Sequence, residues 1–263
     1  MTQTLVVTSD HHIASTVGLI HPGAELDDGG TYKMSRGQGF LWASWQDSLE
    51  QIDKLKQGDL TVVFNGDIIE GDDKGRSNQV ISKNKADTTR WAGEILDPLV
   101  KMATTAKFIR GTEAHTGKSQ ELEKQIADDF SAELLPAWQV VIDGVRLDIA
   151  HHPPFSGGGK PATRQNKING LAADSLLTYA RMEVQPPHLV IRSHVHLWMD
   201  SYDAQPVRAI TTAAWTLKTH YIERLEPVAL AHIGALMVIC DRGQYEVRKL
   251  DYKPKGFKWT ILK

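Results

Sequence analysis

The sequence is short of sulfur, of charge imbalance and of long apolar runs, and each shortage removes a class of protein. Cys240 is the one cysteine in 263 residues, so an intramolecular disulfide is excluded and a reducing compartment is expected. Lysine and arginine number 30 against 32 acidic residues, a net charge of −2, so there is no global polycation to hold a nucleic acid; a local basic groove stays open. The most apolar segment, residues 228–240, is short and carries His232, so nothing is expected to span a membrane. The first residues lack a basic run followed by an apolar stretch, so no signal peptide is expected and the protein reads as cytoplasmic. Repeats and low-complexity tracts are missing too, and one domain over residues 1–263 is the expectation.

What is present is a repeated pattern of apolar runs that stop at histidine and aspartate. Thr4-Leu-Val-Val-Thr-Ser runs into Asp10-His11-His12, and Leu60-Thr-Val-Val-Phe-Asn into Gly66-Asp67. Arg146-Leu-Asp-Ile-Ala ends at His151-His152, and His188-Leu-Val-Ile-Arg-Ser at His194-Val-His196. Val-rich runs of this length read as buried strands. In open α/β sheets function collects at the carboxyl ends of strands, so these ends predict one composite site.

The remaining elements follow from periodicity and punctuation. Residues 13–38 are glycine-bearing and irregular, and leave directly from Asp10 and His12, which suggests a loop over the site. Helices are predicted over 40–56, over 83–106 with Pro98 kinking or splitting it, over 119–135 and over 167–183. A short strand is expected at 107–110. Asp143-Gly144 between two strand-like runs is a strong hairpin signal, and 232–240 with 244–251 read as a second strand pair.

Seven of the eleven histidines lie in these clusters: His11, His12, His115, His151, His152, His194 and His196. One histidine at a strand end is usually structural, but packing does not explain four such clusters. Imidazole with carboxylate suits Mn, Fe, Zn, Co or Ni, whereas a carboxylate-only site would suit Mg or Ca. Alternation along a strand puts Asp10 with His12, and His194 with His196, on shared faces, and turns His11 away. Asp67 has two oxygens with which to bridge two ions.

The ordered set Asp10-x-His12, Gly66-Asp67-x-x-Glu70, a glycine-led loop at 111–115, His151 and His194-x-His196 resembles the calcineurin-like metallophosphoesterases. The run His12 to Leu19 and the loop Gly111 to Gly117 resemble a phage or prophage branch of that family. The resemblance implies two mixed β-sheets packed face to face with helices outside, in four layers. It implies one divalent ion on Asp10, His12, Asp67 and His196 and a second on Asp67, His151 and His194, manganese first among the candidates. It also implies in-line hydrolysis of a phosphate ester by a metal-bridging hydroxide. Two departures stand out: Ser193 replaces a glycine, and Gly111-Thr112-Glu113-Ala114-His115 replaces Gly-Asn-His, removing a ligand of the second ion. We expect His115 to act on the phosphate as acid or charge stabiliser, with Glu113 or Thr112 in the vacant position. The alternative is His115 as the ligand and Glu113 on the surface.

The substrate class expected first is a phosphodiester, DNA or RNA, making the chain a nuclease-like phosphodiesterase. Lys74, Arg76, Lys160 and Arg164 on loops near the strand ends point that way, although a solvated basic face explains Lys160 and Arg164 about as well. A phosphomonoester or a nucleotide is the other substrate class. Two other classes of protein compete. A metal-dependent amidohydrolase would open with His-x-His on a βα barrel, and the hairpin-rich second half argues against a barrel. A non-catalytic metal-binding module on the same scaffold is opposed by retention of Asp10, His12, Asp67, His151, His194 and His196. Ser156 to Lys160 lacks the spacing of a phosphate-binding loop. His21, His188, His220 and His232, without motif partners, read as structural, and Trp215 as a core or surface residue before a lining of the substrate cleft.

Overall fold

The computed structural model describes residues 1–71, 79–116, 121–155, 161–219 and 231–254. Strand alternation sorts its apolar residues into three cores, and these fix the layer order. The first sheet joins β11 (Gln244–Tyr252), β10 (Ile233–Asp241), β1 (Gln3–Thr8), β2 (Leu60–Asn65), β3 (Thr105–Ile109) and β4 (Glu133–Leu135) in that spatial order. Strands β1 to β4 run parallel, and β10 returns antiparallel to β1. The second sheet joins β5 (Trp138–Ile142), β6 (Val145–Ile149), β7 (Leu189–Arg192), β9 (Arg208–Thr211) and β8 (Met199–Asp200). It too is mixed: β6, β7 and β9 are parallel, and β5 and β8 are antiparallel at its edges.

Leu5, Val7, Val63 and Ile109 face one way from the first sheet and meet Leu147, Ile149, Leu189 and Ile191 of the second, forming the core between the sheets. Val6, Val62, Phe64 and Phe108 face the other way, against helices α1 (Arg36–Leu55), α2 (Lys85–Met102) and α4 (Glu121–Asp129), the last preceded in sequence by the single turn α3 (Glu113–Thr116). Val190 and Ala209 on the outer face of the second sheet pack on Ile168, Leu171 and Ala172 of α5 (Pro161–Arg181). The result is the expected four-layer arrangement, two mixed sheets face to face between helices. Burying one such Val, Leu or Ile side chain stabilises by about 1.5–3 kcal/mol.

Local chemistry sets the helix limits. Ser35 begins α1 with a capping box: its hydroxyl accepts from the Gln38 N–H at 3.2 Å and the Gln38 Oε1 accepts from the Ser35 N–H at 3.1 Å. The helix therefore starts four residues before the predicted Phe40. Helix α2 runs uninterrupted through Pro98, contrary to the expected split; the packing of Trp91, Ile95 and Leu99 outweighs one missing N–H. The predicted helix 119–135 is also corrected. It ends at Asp129, Ser131 turns left-handed with φ 53°, and Glu133–Leu135 pair with β3 as a strand. The Asp143-Gly144 hairpin forms as read, both residues at positive φ. Among the described residues no helix is long and apolar enough to cross a membrane.

Candidate metal centre

Beyond the last residues of β1 and β2 the two chains stay hydrogen-bonded, and this brings the first carboxylates together. The Asp10 N–H donates to the Gly66 carbonyl at 3.0 Å, and the His12 N–H to the Asp67 carbonyl at 3.1 Å. Asp10, His12 and Asp67 then take left-handed backbone, with φ of 53°, 44° and 50°. His194 and His196, beyond β7, do the same at 68° and 55°. Positive φ is uncommon outside glycine and costs about 1–3 kcal/mol each, and such residues cluster at functional sites. Convergence of Asp10 with His12, and of His194 with His196, therefore comes from left-handed turns past the strand ends. The strand alternation expected from sequence is not the cause. Gly66 is required there: with φ 80°, an added Cβ would sit 2.4 Å from His151 Nδ1 and 2.8 Å from the Gly111 Cα.

The structure brings Asp10, His12, Asp67, His115, His151, His194 and His196 into one cluster, with His152 at its rim. Ligand-capable groups overlap within it: Asp10 with His12 and His196; Asp10 with Asp67 and His151; His12 with Asp67 and His115; and His151 with His152 and His194. His196 Nε2 lies 3.1 Å from Asp10 Oδ1, and His151 Nε2 3.0 Å from Asp67 Oδ2. The Thr112 hydroxyl lies 3.0 Å from Asp67 Oδ2 and within 3.5 Å of ring nitrogens of His151, His152 and His194. Glu113 is exposed and belongs to none of these groups, so of the two residues suggested for the vacant position only Thr112 is in the cluster. Lys160, Lys74 and Arg76 lie outside the described residues. Arg164 on α5 is close enough for its charge to bear on His232.

Hydrogen bonds behind the cluster orient its rings. Glu70 Oε2 is 2.7 Å from His12 Nδ1, so that nitrogen carries the proton and Nε2 turns a lone pair inward. His151 Nδ1 donates to the Asn65 carbonyl at 2.6 Å, which aims its Nε2 at Asp67. His11 is buried, 2.9 Å from the Thr8 hydroxyl through Nε2 and edge-on to Trp45; burial depresses it to about 3, an uncharged core residue turned away from the cluster. Trp215 is fully buried against Trp45, and His188, His232 and His21 pair with the Arg146 N–H, the Trp198 N–H and Glu94.

The electrostatics are those of charges held out of water by one another. Burial opposes ionisation of Asp10 and Asp67, but neighbouring His196 and His151 hold both carboxyls below the usual range. Burial likewise works against a charged His151, yet Asp67 pushes it up to about 10. These residues fit a divalent cation. Asp10 Oδ1 is fully buried and accepts no aligned hydrogen bond, while His12 Nε2 and His196 Nε2 face each other at 3.3 Å. Carboxylate oxygens and imidazole lone pairs directed at common points, with no thiolate, make an N/O ligand set for first-row divalent ions.

Of two further residues, Glu70 was named in the sequence motif without a role and Glu123 escaped the sequence reading. Glu70 links His12 and His115, its Oε1 being 3.1 Å from His115 Nδ1. Glu123 on α4 is fully buried and accepts from the Gly111 and Ile68 N–H groups at 2.8 and 3.2 Å, tying together the loops that carry Asp67 and Thr112.

No family model matches the chain, and no curated protein sequence does. Solved structures similar to it include a Vps29 variant from Entamoeba histolytica at 10% identity, with 95% of this chain and 99% of that chain covered and a TM-score of 0.45. They also include an archaeal phosphodiesterase at 12% identity, with 94% and 99% covered and a TM-score of 0.45. A dimetal phosphatase from Danio rerio is 15% identical, with 95% and 99% covered and a TM-score of 0.43. At such identities and scores the activity has to be argued from the site.

Proposed function

We propose that this chain is a two-metal-dependent phosphoric ester hydrolase. Asp10, His12, Asp67 and His196 hold one ion, and Asp67, His151 and His194 the other. The observation that carries this reading is the strained backbone. Five of these six residues, all but His151, sit at positive φ, and each of the six directs a carboxylate or imidazole into one cluster, buried at Asp10, His12, Asp67 and His151 and half-buried at His194 and His196. Bound divalent ions would supply charge neutralisation at phosphoryl oxygens and a more acidic water. Manganese is the ion we put first, with Fe, Zn, Co or Ni as alternatives. Glu70 fixes the ring of His12 and holds His115. Burial disfavours the charge on His115, but Glu70 and Asp67 outweigh it and push that imidazole up to about 9. With Nδ1–H committed to Glu70, His115 can give the Nε2 proton to a departing oxygen.

The substrate class we propose is a nucleic-acid phosphodiester, and the lineage the phage-type branch of the calcineurin-like family, acting in the cytoplasm. Two features support the substrate class. Arg164 and Lys167 lie in the first turns of α5, the Lys167 ammonium over the Phe155 ring, and Gln165 of the same helix donates to the Asp200 carbonyl at 3.0 Å, so this end of α5 lies beside the chain that leaves His196. The test is a panel of a phosphomonoester, a small phosphodiester and single- and double-stranded DNA, with and without Mn2+. Hydrolysis lost on chelation and restored by the ion, with oligonucleotide affinity falling steeply as salt rises, is expected. Full turnover with metal content at zero would reject the two-metal reading. A monoester cleaved far faster than any oligonucleotide at low salt would reject the nucleic-acid substrate alone.

A further inference from the structure

We propose that His152 is a direct ligand of the second ion, so that three imidazoles, His151, His152 and His194, meet it together with Asp67. This deepens the two-metal reading and rests on it. The Thr112 hydroxyl marks the place. His152 Nε2 lies 3.1 Å from Thr112 Oγ1, His194 Nδ1 3.2 Å, His151 Nε2 3.5 Å and Asp67 Oδ2 3.0 Å. A hydroxyl offers one proton and two lone pairs, so it cannot answer three ring nitrogens and a carboxylate at once. Donor atoms crowded around one point in excess of its hydrogen-bonding capacity are arranged as a ligand shell.

The rings support this. His151 and His152 are 4.7 Å apart between centroids, His152 and His194 4.6 Å, and His151 and His194 5.3 Å, a closed triangle with one nitrogen of each ring within 4.8 Å of the others. His152 Nε2 is turned inward to the Thr112 hydroxyl that the other two rings also approach, rather than out to solvent. Adjacent residues can both reach the ion because the chain leaves β6 at Ile149: His151 is buried beneath the cluster, while His152 stands at its outer edge.

The consequence is chemical asymmetry. The first position has two imidazoles and two carboxylates, counting the shared Asp67, whereas the second has three imidazoles and one carboxylate. Nitrogen-rich sets favour Zn, Co or Ni, and oxygen-rich sets favour Mn. The second position should therefore prefer the later ions.

Metal-free protein titrated with Co2+ tests the proposal. Wild type is expected to take up two equivalents. His152→Ala should keep one and lose affinity for the other by at least the roughly 10–100-fold that removing an outer-shell partner costs. His152→Cys should produce a thiolate-to-cobalt charge-transfer band in the near ultraviolet; the native thiol, Cys240, is buried in the core between the sheets and gives none. His152 is exposed, so both variants should fold, which circular dichroism checks. Two unchanged equivalents in His152→Ala, or a folded two-ion His152→Cys without the band, would overturn the proposal and leave the two-metal reading standing. A wild type that takes up no second ion would overturn both.

Discussion

Glu70→Gln separates what Glu70 does for the two imidazoles it touches. The wild-type carboxylate faces His12 Nδ1 at 2.7 Å and His115 Nδ1 at 3.1 Å, one oxygen for each. An amide of the same shape keeps one acceptor and presents an NH2 donor to the other ring, so one of the two contacts must fail. Burial already works against a charged His115, and Glu70 is the leading contact that raises it to about 9. Without the carboxylate the value falls toward the ordinary 6.5, with Asp67 and Asp10 still opposing the fall. That interval corresponds to about 3 kcal/mol at about 1.4 kcal/mol per pKa unit. Bound ions would lower wild type and variant together, so the difference between them is the quantity to measure. An acid must be protonated to act, and its contribution is lost as pH rises through its pKa. The basic limb of the kcat–pH profile should therefore move to lower pH in Glu70→Gln. At pH 8 the rate should fall by up to about 30-fold, the ratio of protonated fractions for pKa values of about 9 and 6.5, and recover as the pH is lowered. The assay is kcat against pH at saturating metal, beside the metal dissociation constant, which should weaken by up to about 10–100-fold to the extent that the amide presents its NH2 to His12. A weakened metal site with an unmoved pH profile would show that His115 is not the acid. A variant matching wild type in both would refute the reasoning altogether.

Two further substitutions probe the scaffold. Asp67→Asn should abolish binding of both ions with the fold retained, whereas His11→Ala, which empties a buried position against Trp45 and Phe64, should cost about 2–4 kcal/mol of stability and leave metal content unchanged; equal metal loss in the two would contradict the geometry. Burial, with Asp67 nearby, pushes Glu123 up to about 7, so the fold binds its proton more tightly than the unfolded chain does. Stability of the metal-free protein should then fall as pH rises from about 4.5 to 7, and Glu123→Gln should flatten that part of the profile in denaturant titrations across pH; parallel slopes in the two proteins would count against it.

The strands and the site were legible wherever a short local pattern carried the information. Apolar runs ending in Asp and His located β1, β2, β6 and β7, and Asp143-Gly144 located the hairpin, because each signal lies within a few adjacent residues. The Ser35-x-x-Gln38 capping box that fixes the start of α1 was not read from the sequence, which began that helix at Phe40. Other features depended on partners distant in sequence. β8 and β9 span two and four residues and are strands only because β9 pairs with β7 and β8 pairs with β9. Leu134 and Leu135 continue the helical period of α4, and only β3 decides that they pair as a strand. Glu123 looks like one more acid on a polar helix; its role comes from two N–H groups, at Gly111 and Ile68, brought to it by tertiary structure. Backbone hand was invisible as well. Sequence argues for positive φ at glycine, whereas here it falls on aspartate and histidine.

That strain has to be held by something, and the polar chain beneath the cluster is suited to hold it. Asn65 Nδ2 donates to the Ser193 hydroxyl at 2.6 Å, and the Ser193 and Thr212 hydroxyls are 2.8 Å apart. Thr212 and Ser9 are 2.9 Å apart, and Ser9 donates to the Ala213 carbonyl at 3.3 Å. Taken in that order each of the three hydroxyls accepts one proton and gives its own onward, in a single direction of donors, while the Asn65 Oδ1 at the head of the chain is left buried without a partner. It runs from the end of β2 to the turns after β7 and β9 and back to the end of β1, tying both sheets together under the cluster. Five left-handed residues at about 1–3 kcal/mol each amount to about 5–15 kcal/mol of local strain, comparable to the whole stability of a typical domain. Such strain persists only where the surroundings leave no alternative conformation, which the paired loops, the buried hydroxyls and the two-sheet core together provide. Ser193, the residue that departs from the resembled family's glycine, is a working member of that chain, and its hydroxyl supplies a link that a glycine could not.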